Sequence, residues 1–207
     1  GLDINAFDQA MKVFAGAKRP MIIAGGGNWN RAACDSLSAW ANHEGIPVAT
    51  SFRSQDLLDN LDPIFAGDLG IGANPALVKR VQDADVLLVI GERLGEMTTA
   101  GYSVLSVPKA KNTLIHVHSG SEELGRVYRP DFALNCSPEN FCAALNGVKM
   151  GSNHNVNNAK VAHTEYLKFA SPIHVPGDLQ LAQIMSSLPK SIPRDSIVTN
   201  GAGNFAT

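Results

Sequence analysis

Apolar positions along this chain change their period several times, and each change marks an element. Over residues 5–17, Phe7, Ala10, Met11 and Phe14 recur at helical spacing, with Gly16 and Pro20 placed as stop signals. Pro20–Ala24 is a short apolar run that reads as a strand, followed at once by Gly25-Gly26-Gly27 and a helical pattern over 30–43. A second strand is predicted over 46–50. Residues 51–72 then form a long connection containing Pro63, Gly67, Gly70 and Gly72, and connections of that length are often functional. A short helix over 74–82 leads to the apolar block Val86–Ile90, bounded by Gly91, the pattern of a buried parallel strand. Residues 99–110 read as loop or short helix, Thr113–His118 as a strand and 121–125 as a helical turn. Phe132–Asn135 reads as a short strand, and 138–145 as a helix with Ser137 as its N-cap.

These alternations amount to about five βα units within roughly the first 147 residues. They predict an α/β fold: a doubly wound, Rossmann-like parallel sheet of about five to six strands with helices on both faces. The pattern then breaks. Residues 150–158 are polar and Asn-rich, 159–169 read as a helix, and 171–176 hold two prolines. An amphipathic helix over 178–188 and a strand over 196–199 follow, then Asn200-Gly201-Ala202-Gly203-Asn204. The predicted organisation is a central domain over 1–149, a linker with one helix over 150–177, and the truncated start of another domain over 178–207. A piece of about 30 residues cannot bury a core of its own. Gly1, with no Met before it, also suggests a start cut from something longer.

Composition narrows the classes. The 207 residues are 44% hydrophobic with a net charge of −2, so a globular core is expected, with no basic field for nucleic acid or an anionic membrane. No apolar run approaches the roughly 20 residues of a membrane span, and no signal-peptide pattern opens the chain, which points to the cytoplasm. Cys34, Cys136 and Cys142 form no C-x-x-C pair and no even framework. They read as small buried residues in a reducing compartment.

Candidate chemistry collects where the strands end. Open parallel sheets bind ligands beyond the carboxyl ends of their strands. Arg93, in Gly91-Glu92-Arg93-Leu94-Gly95, offers a fork of donors to phosphate or carboxylate. Gly25, Gly26 and Gly27 before a helix N-terminus form a possible phosphate cradle, the alternative being a tight βα turn. Asn30 stands where the dinucleotide fingerprint has its third glycine, and no acidic residue ends the next strand. Gly67 and Gly70 could bring backbone close to a flat ligand or simply turn a corner. His116 and His118 share one strand face; with no third ligand nearby, hydrogen-bonded structural roles are expected in place of a metal.

The segments RPMIIAGGG (19–27), FAGDLGIG (65–72), ADVLLVIGERLG (84–95), LIHVHSGSEELGRVYR (114–129) and IVTNGAGNF (197–205) together, in this order, resemble the thiamine diphosphate-dependent enzymes of the acetolactate synthase group. The chain looks like their central domain followed by the opening of their diphosphate-binding domain. The resemblance implies a three-domain parent, a carboligase or decarboxylase of 2-oxo acids that uses thiamine diphosphate and Mg²⁺ and assembles as a homodimer or homotetramer. The activating glutamate and the Gly-Asp-Gly and Asn that hold metal and diphosphate would lie outside this chain, leaving the fragment inactive. Gly201, Gly203 and Asn204 would sit at the diphosphate end of the cofactor. In some members the central domain binds FAD or ADP without redox chemistry, which would bring Gly25, Gly26, Gly27, Gly67, Gly70, Arg93 and the turn after His118 to the nucleotide. Relatives commonly carry an acidic residue where Gly120 stands here. A non-catalytic FAD- or ADP-binding module is the alternative. An NAD-dependent dehydrogenase would want the missing third glycine and ribose carboxylate, and a sirtuin-like deacylase four zinc cysteines.

Overall fold

The computed structural model describes residues 1–151, 154–193 and 195–199. The chain divides into two compact units, Gly1–Tyr166 and Leu167–Thr207. The first is built on six strands: β1 Pro20–Ala24, β2 Val48–Ser51, β3 Phe65–Leu69, β4 Val86–Ile90, β5 Thr113–His118 and β6 Phe132–Asn135. Their order across the sheet is β3-β2-β1-β4-β5-β6, and every neighbouring pair is parallel. This is the doubly wound, Rossmann-like sheet expected from the alternation of elements.

Local sequence sets most of the elements. Helix α1, Ile4–Ala15, buries Phe7, Ala10, Met11 and Phe14 on one stripe, and the Asp3 carboxylate caps it by accepting from Ala6 N at 3.1 Å. Helix α2, Arg31–Glu44, is capped by Asn30, which accepts from Ala33 N at 2.8 Å, and it ends at the left-handed Gly45. Helix α3, Pro75–Asp83, opens with proline after the cap Asn74, and α4, Pro138–Ala144, opens with proline after the cap Ser137. All five residues of β1 and of β4 are buried, because a central parallel strand is covered on both faces. Alternate residues supply two cores. Ile22, Leu88, Ile90, Ile115 and Val117 pack with Phe7, Phe14, Leu37 and Phe141. Met21, Ile23, Leu87, Val89 and Leu114 pack with Leu77, Val81, Leu94, Leu105 and Tyr128.

Two expectations are corrected. The connection over 51–72 contains an edge strand, β3. Its sequence FAGDL carries a glycine and an aspartate, both depleted in strands, and so hides the signal. The register shifts between Val48 and Ala49, which pair with Phe65 and Gly67, and Gly67 has φ +111°. That glycine marks a β-bulge. Of the two readings of residues 99–110, loop or short helix, the structure has the loop, a run of turns. Finally, 196–199 forms no strand: no other strand among the described residues pairs with it, and Ile197 is 91% exposed.

Helix α5, Asn158–Phe169, covers the outer edge of β3. His163 Nδ1 lies 2.8 Å from the carbonyl oxygen of Phe65, the Tyr166 ring meets Phe65 edge-on at 4.9 Å, and Arg80 of α3 bonds Glu165 at 2.8 Å. Covering the edge in this way blocks its pairing with another chain. In the second unit, helix α6, Leu181–Ser191, carries Ile184 and Met185 exposed on its surface. No helix among the described residues is long and apolar enough to cross a membrane.

At the opposite end of the strands, Asp85 ties β1 to β4. Its carboxylate accepts from Lys18 N at 2.7 Å, Arg19 N at 2.9 Å and Val86 N at 3.0 Å. Replacing Asp85 with Ala leaves these amides to water, and the expected cost is about 1–2 kcal/mol. Urea unfolding checks this; an unchanged midpoint would mean that water serves the amides equally well.

Candidate functional site

The strands β1 and β4 are neighbours, yet the chain leaves them in opposite directions: β1 continues through α2 to β2, and β4 continues to β5. Such a switch point opens a crevice beyond the carboxyl ends of open α/β sheets, the usual ligand position. Here the two turns meet backbone to backbone. Gly25 N donates to Ile90 O at 3.0 Å, and the Trp29 indole N–H donates to Gly25 O at 2.8 Å. Gly26 has φ +69°, and a Cβ there would run straight into the carbonyl of Gly91. Gly91 has φ +75°, and its Cβ would lie 2.5 Å from Gly25 O and 2.9 Å from Pro138 Cγ. Two of the three glycines read as a cradle are therefore engaged in holding one turn against the other. Gly27 faces open space, next to the α2 N-terminus.

The remaining candidates are spread around this crossing. Gly67 lies in the bulge of β3, where a Cβ would touch Leu77 and Tyr166 at 3.4 and 3.5 Å. Gly70 lies under the Phe52 ring, over which the Arg53 guanidinium sits at 5.1 Å. Arg93 is exposed, and its Nε lies 2.9 Å from where a Gly95 Cβ would be. The structure thus brings Gly25, Gly26, Gly91 and the base of Arg93 together and keeps Gly67 apart from them. Gly201, Gly203 and Asn204 lie outside the described residues. At the turn after His118, the Glu122 carboxylate packs onto Gly120, in the space a side chain at that position would take.

Several polar residues here gave no sequence signal. Glu92 is buried, and its Oε1 accepts from Gly95 N and Thr98 Oγ1 only at 3.4 Å each. Its other oxygen lies 3.1 Å from the Gly25 Cβ position, which the Ser51 hydroxyl also crowds. Ser51 and Ser54 share a 3.2 Å hydrogen bond. The fully buried Thr50 hydroxyl has no partner among the described residues. The turn after β1 packs against the Glu92 carboxylate from one side, and Gly95 and Thr98 from the other.

The two strand histidines have the structural hydrogen bonds expected of them. His116 Nε2 lies 2.8 Å from Glu92 O, and His118 Nδ1 lies 3.1 Å from Gly120 O. No group of three His, Cys, Asp or Glu side chains among the described residues is placed to hold a metal ion. All three cysteines are free thiols, Cys136 and Cys142 buried and Cys34 partly so. Burial pushes the Cys136 thiol up to about 11 and the Cys142 thiol up to about 12. Both stay protonated at neutral pH and serve as packing groups, not nucleophiles. The described site holds backbone and oriented polar groups without an acid–base pair, an arrangement suited to binding and support.

Comparison with known proteins agrees with this architecture. Residues 7–145 match the model of the thiamine pyrophosphate enzyme central domain, and the chain belongs to that family. It is 27% identical to sulfoacetaldehyde acetyltransferase of Castellaniella defragrans, an alignment covering 97% of this chain and 38% of that protein. It is 26% identical to the acetolactate synthase large subunit of Corynebacterium glutamicum, over 95% of this chain and 32% of that protein. It is 30% identical to 3D-(3,5/4)-trihydroxycyclohexane-1,2-dione hydrolase of Clostridium botulinum, over 54% and 17% respectively. The chain spans about a third of the length of the first two.

The crossing of the two turns sets a sharp contrast among adjacent glycines. Gly26→Ala combines a left-handed backbone with a backbone collision and is expected to cost about 2–4 kcal/mol. Gly27→Ala, facing open space, is expected to stay within about 0.5 kcal/mol of the parent. Urea midpoints of the two variants, compared with the parent, check both values.

Proposed function

We propose that this chain is the central part of a thiamine diphosphate-dependent carboligase or decarboxylase acting on 2-oxo acids, in the manner of acetolactate synthase, and that it is inactive by itself. The observation that carries the reading is the family match over 7–145, on a sheet of order β3-β2-β1-β4-β5-β6, in alignments that run on through most of the remaining chain. The chemistry in such an enzyme is the cofactor's, a carbanion equivalent for the oxo-acid carbonyl and an electron sink for decarboxylation. The described residues include no metal-binding cluster and no acid–base pair that fit the cofactor's reactive end or its Mg²⁺. Those tasks fall to other parts of a longer parent, with Gly201, Gly203 and Asn204 at the diphosphate. In this reading the central unit orients the flanking parts and excludes water through its covered sheet. The parent is a cytoplasmic homodimer or homotetramer with a small 2-oxo acid as substrate.

A second reading, a nucleotide module for FAD or ADP without chemistry, is favoured by one observation. Arg93 stands exposed in the turn after β4, and Gly27 faces open space before the α2 N-terminus, both beyond carboxyl ends of neighbouring strands.

The reading frame around the chain tests the first proposal. An upstream domain with its glutamate and a downstream Gly-Asp-Gly with a spaced Asn are expected, and a stop soon after Thr207 would overturn it. The longer protein should release carbon dioxide from a 2-oxo acid only with thiamine diphosphate and Mg²⁺, and the 207-residue chain should release none. Calorimetric titration of the chain with FAD and ADP tests the second reading. Heat that is lost in Arg93→Ala supports it, and no heat at high ligand concentration removes it.

A further inference from the structure

One buried titratable group at this edge has no part in the function proposed above. His116, on β5, is 2% exposed. The Glu92 carbonyl 2.8 Å from Nε2 can only accept, so Nε2 carries the proton and Nδ1 is the bare ring nitrogen. Nδ1 is buried and has no partner among the described residues. The side chain stands on the face occupied by Val89, Leu94, Leu105 and Tyr128. Its register partners, Val89 in β4 and Ala133 in β6, carry no charge.

Protonation of this ring would add an N–H at Nδ1 with nothing to accept it, together with a charge against an apolar wall. The groups able to compensate are few. Glu92 approaches from the turn after β4 and Glu123 from the short 3-10 turn Ser121–Glu123. His118 opposes protonation from the same strand, and Tyr128 lies on the same face. Glu123 is already bonded to Arg126 at 2.8 Å. Burial, with His118 beside it, outweighs the bond to the Glu92 carbonyl and the two carboxylates and holds the His116 pKa below the ordinary histidine value. For the ring to take a proton it must reach water. Strand β5 cannot move, since β4 and β6 pair with it on both sides. Its cover is the loose component. The segment over residues 91–112 has no helix, and Leu94, Ala100 and Tyr102 all have left-handed φ angles. The Glu92 carboxylate holds its first turn only through the two 3.4 Å contacts.

We infer that His116 is an acid-sensitive pin for the segment between β4 and β5: neutral, it holds Glu92 and the cover in place, and on protonation it releases the cover. The direction follows from linkage. The closed form binds the proton less readily than the open form. Closure is therefore fully favoured above about pH 6.5 and is lost progressively as pH falls from there toward the lowered pKa of the closed form.

Amide hydrogen exchange on the full 207-residue chain between pH 7.5 and 5, expressed as protection relative to intrinsic rates, tests this. The Thr99, Gly101 and Val104 amides, bonded within the cover to Gly95 O, Glu96 O and Thr99 O, should lose protection below about pH 6.5, by up to about tenfold per pH unit. The Ile22 and Val48 amides, bonded to Pro47 O and Ile64 O in the sheet, should keep theirs. His116→Gln retains a donor toward Glu92 O without titrating and should make cover protection independent of pH. Protection that is flat with pH in the parent, that falls equally in cover and sheet, or that falls equally in H116Q would overturn the inference. If H116Q does not fold, ¹⁵N chemical shifts of the parent's histidine rings decide. A neutral Nε2–H form of His116 persisting well below about pH 6.5 supports the pin, and an ordinary titration overturns it.

Discussion

Backbone contact between the turn after β1 and the turn after β4 is the constraint on which the carboxyl end of this sheet depends. The Gly25 amide extends the β1–β4 ladder by one bond to Ile90, and Gly26 and Gly91 then pass with no room for a Cβ on either side. Trp29 and Pro138 close over the contact from the start of α2 and of α4. In an open α/β sheet this crevice is where a ligand would ordinarily sit. Here Gly27 faces open space and Arg93 is exposed beyond that contact.

The two faces of the sheet are covered differently, and the difference places the labile part of the molecule. Packed helices, α1, α2 and α4, supply one face with aromatic and aliphatic side chains. The other face has α3 and α5 toward β3, while beyond β4 an irregular run takes the place of a crossover helix. A helix satisfies its own backbone, but an irregular cover must borrow bonds from its surroundings. The Glu92 carbonyl borrows one from His116, and Asn112 at the far end of the run donates to Val81 O and Ala84 O. The cover is thus held by its own turn bonds, by apolar packing and by a few side-chain bonds, one made by a titratable ring.

Membership of the thiamine pyrophosphate enzyme central-domain family agrees with a site lacking an acid–base pair and with thiols kept protonated by burial. At the β3 edge, α5 anchors through His163, Tyr166 and the Arg80–Glu165 pair.

The sequence by itself determined the class of fold, because period-2 and period-3.6 runs reflect local geometry. Val86–Ile90, Thr113–His118 and Phe132–Asn135 could be read to the residue, and Ser137 declared the start of α4. It also carried the family, through ordered segments that no single spacing could supply. What tertiary structure decided were properties that belong to pairs of distant segments. β3 exists because β2 supplies its hydrogen bonds, despite a glycine and an aspartate of poor strand propensity. Residues 196–199, with better propensity but no paired neighbour among the described residues, form no strand. Gly26 is required for a contact with Gly91, because strand order brings together turns 65 residues apart in sequence. Burial of Glu92 and the bare nitrogen of His116 arise in the same way: a charge or a proton is local, but the water or acceptor that would satisfy it is displaced only when remote parts of the chain close over it.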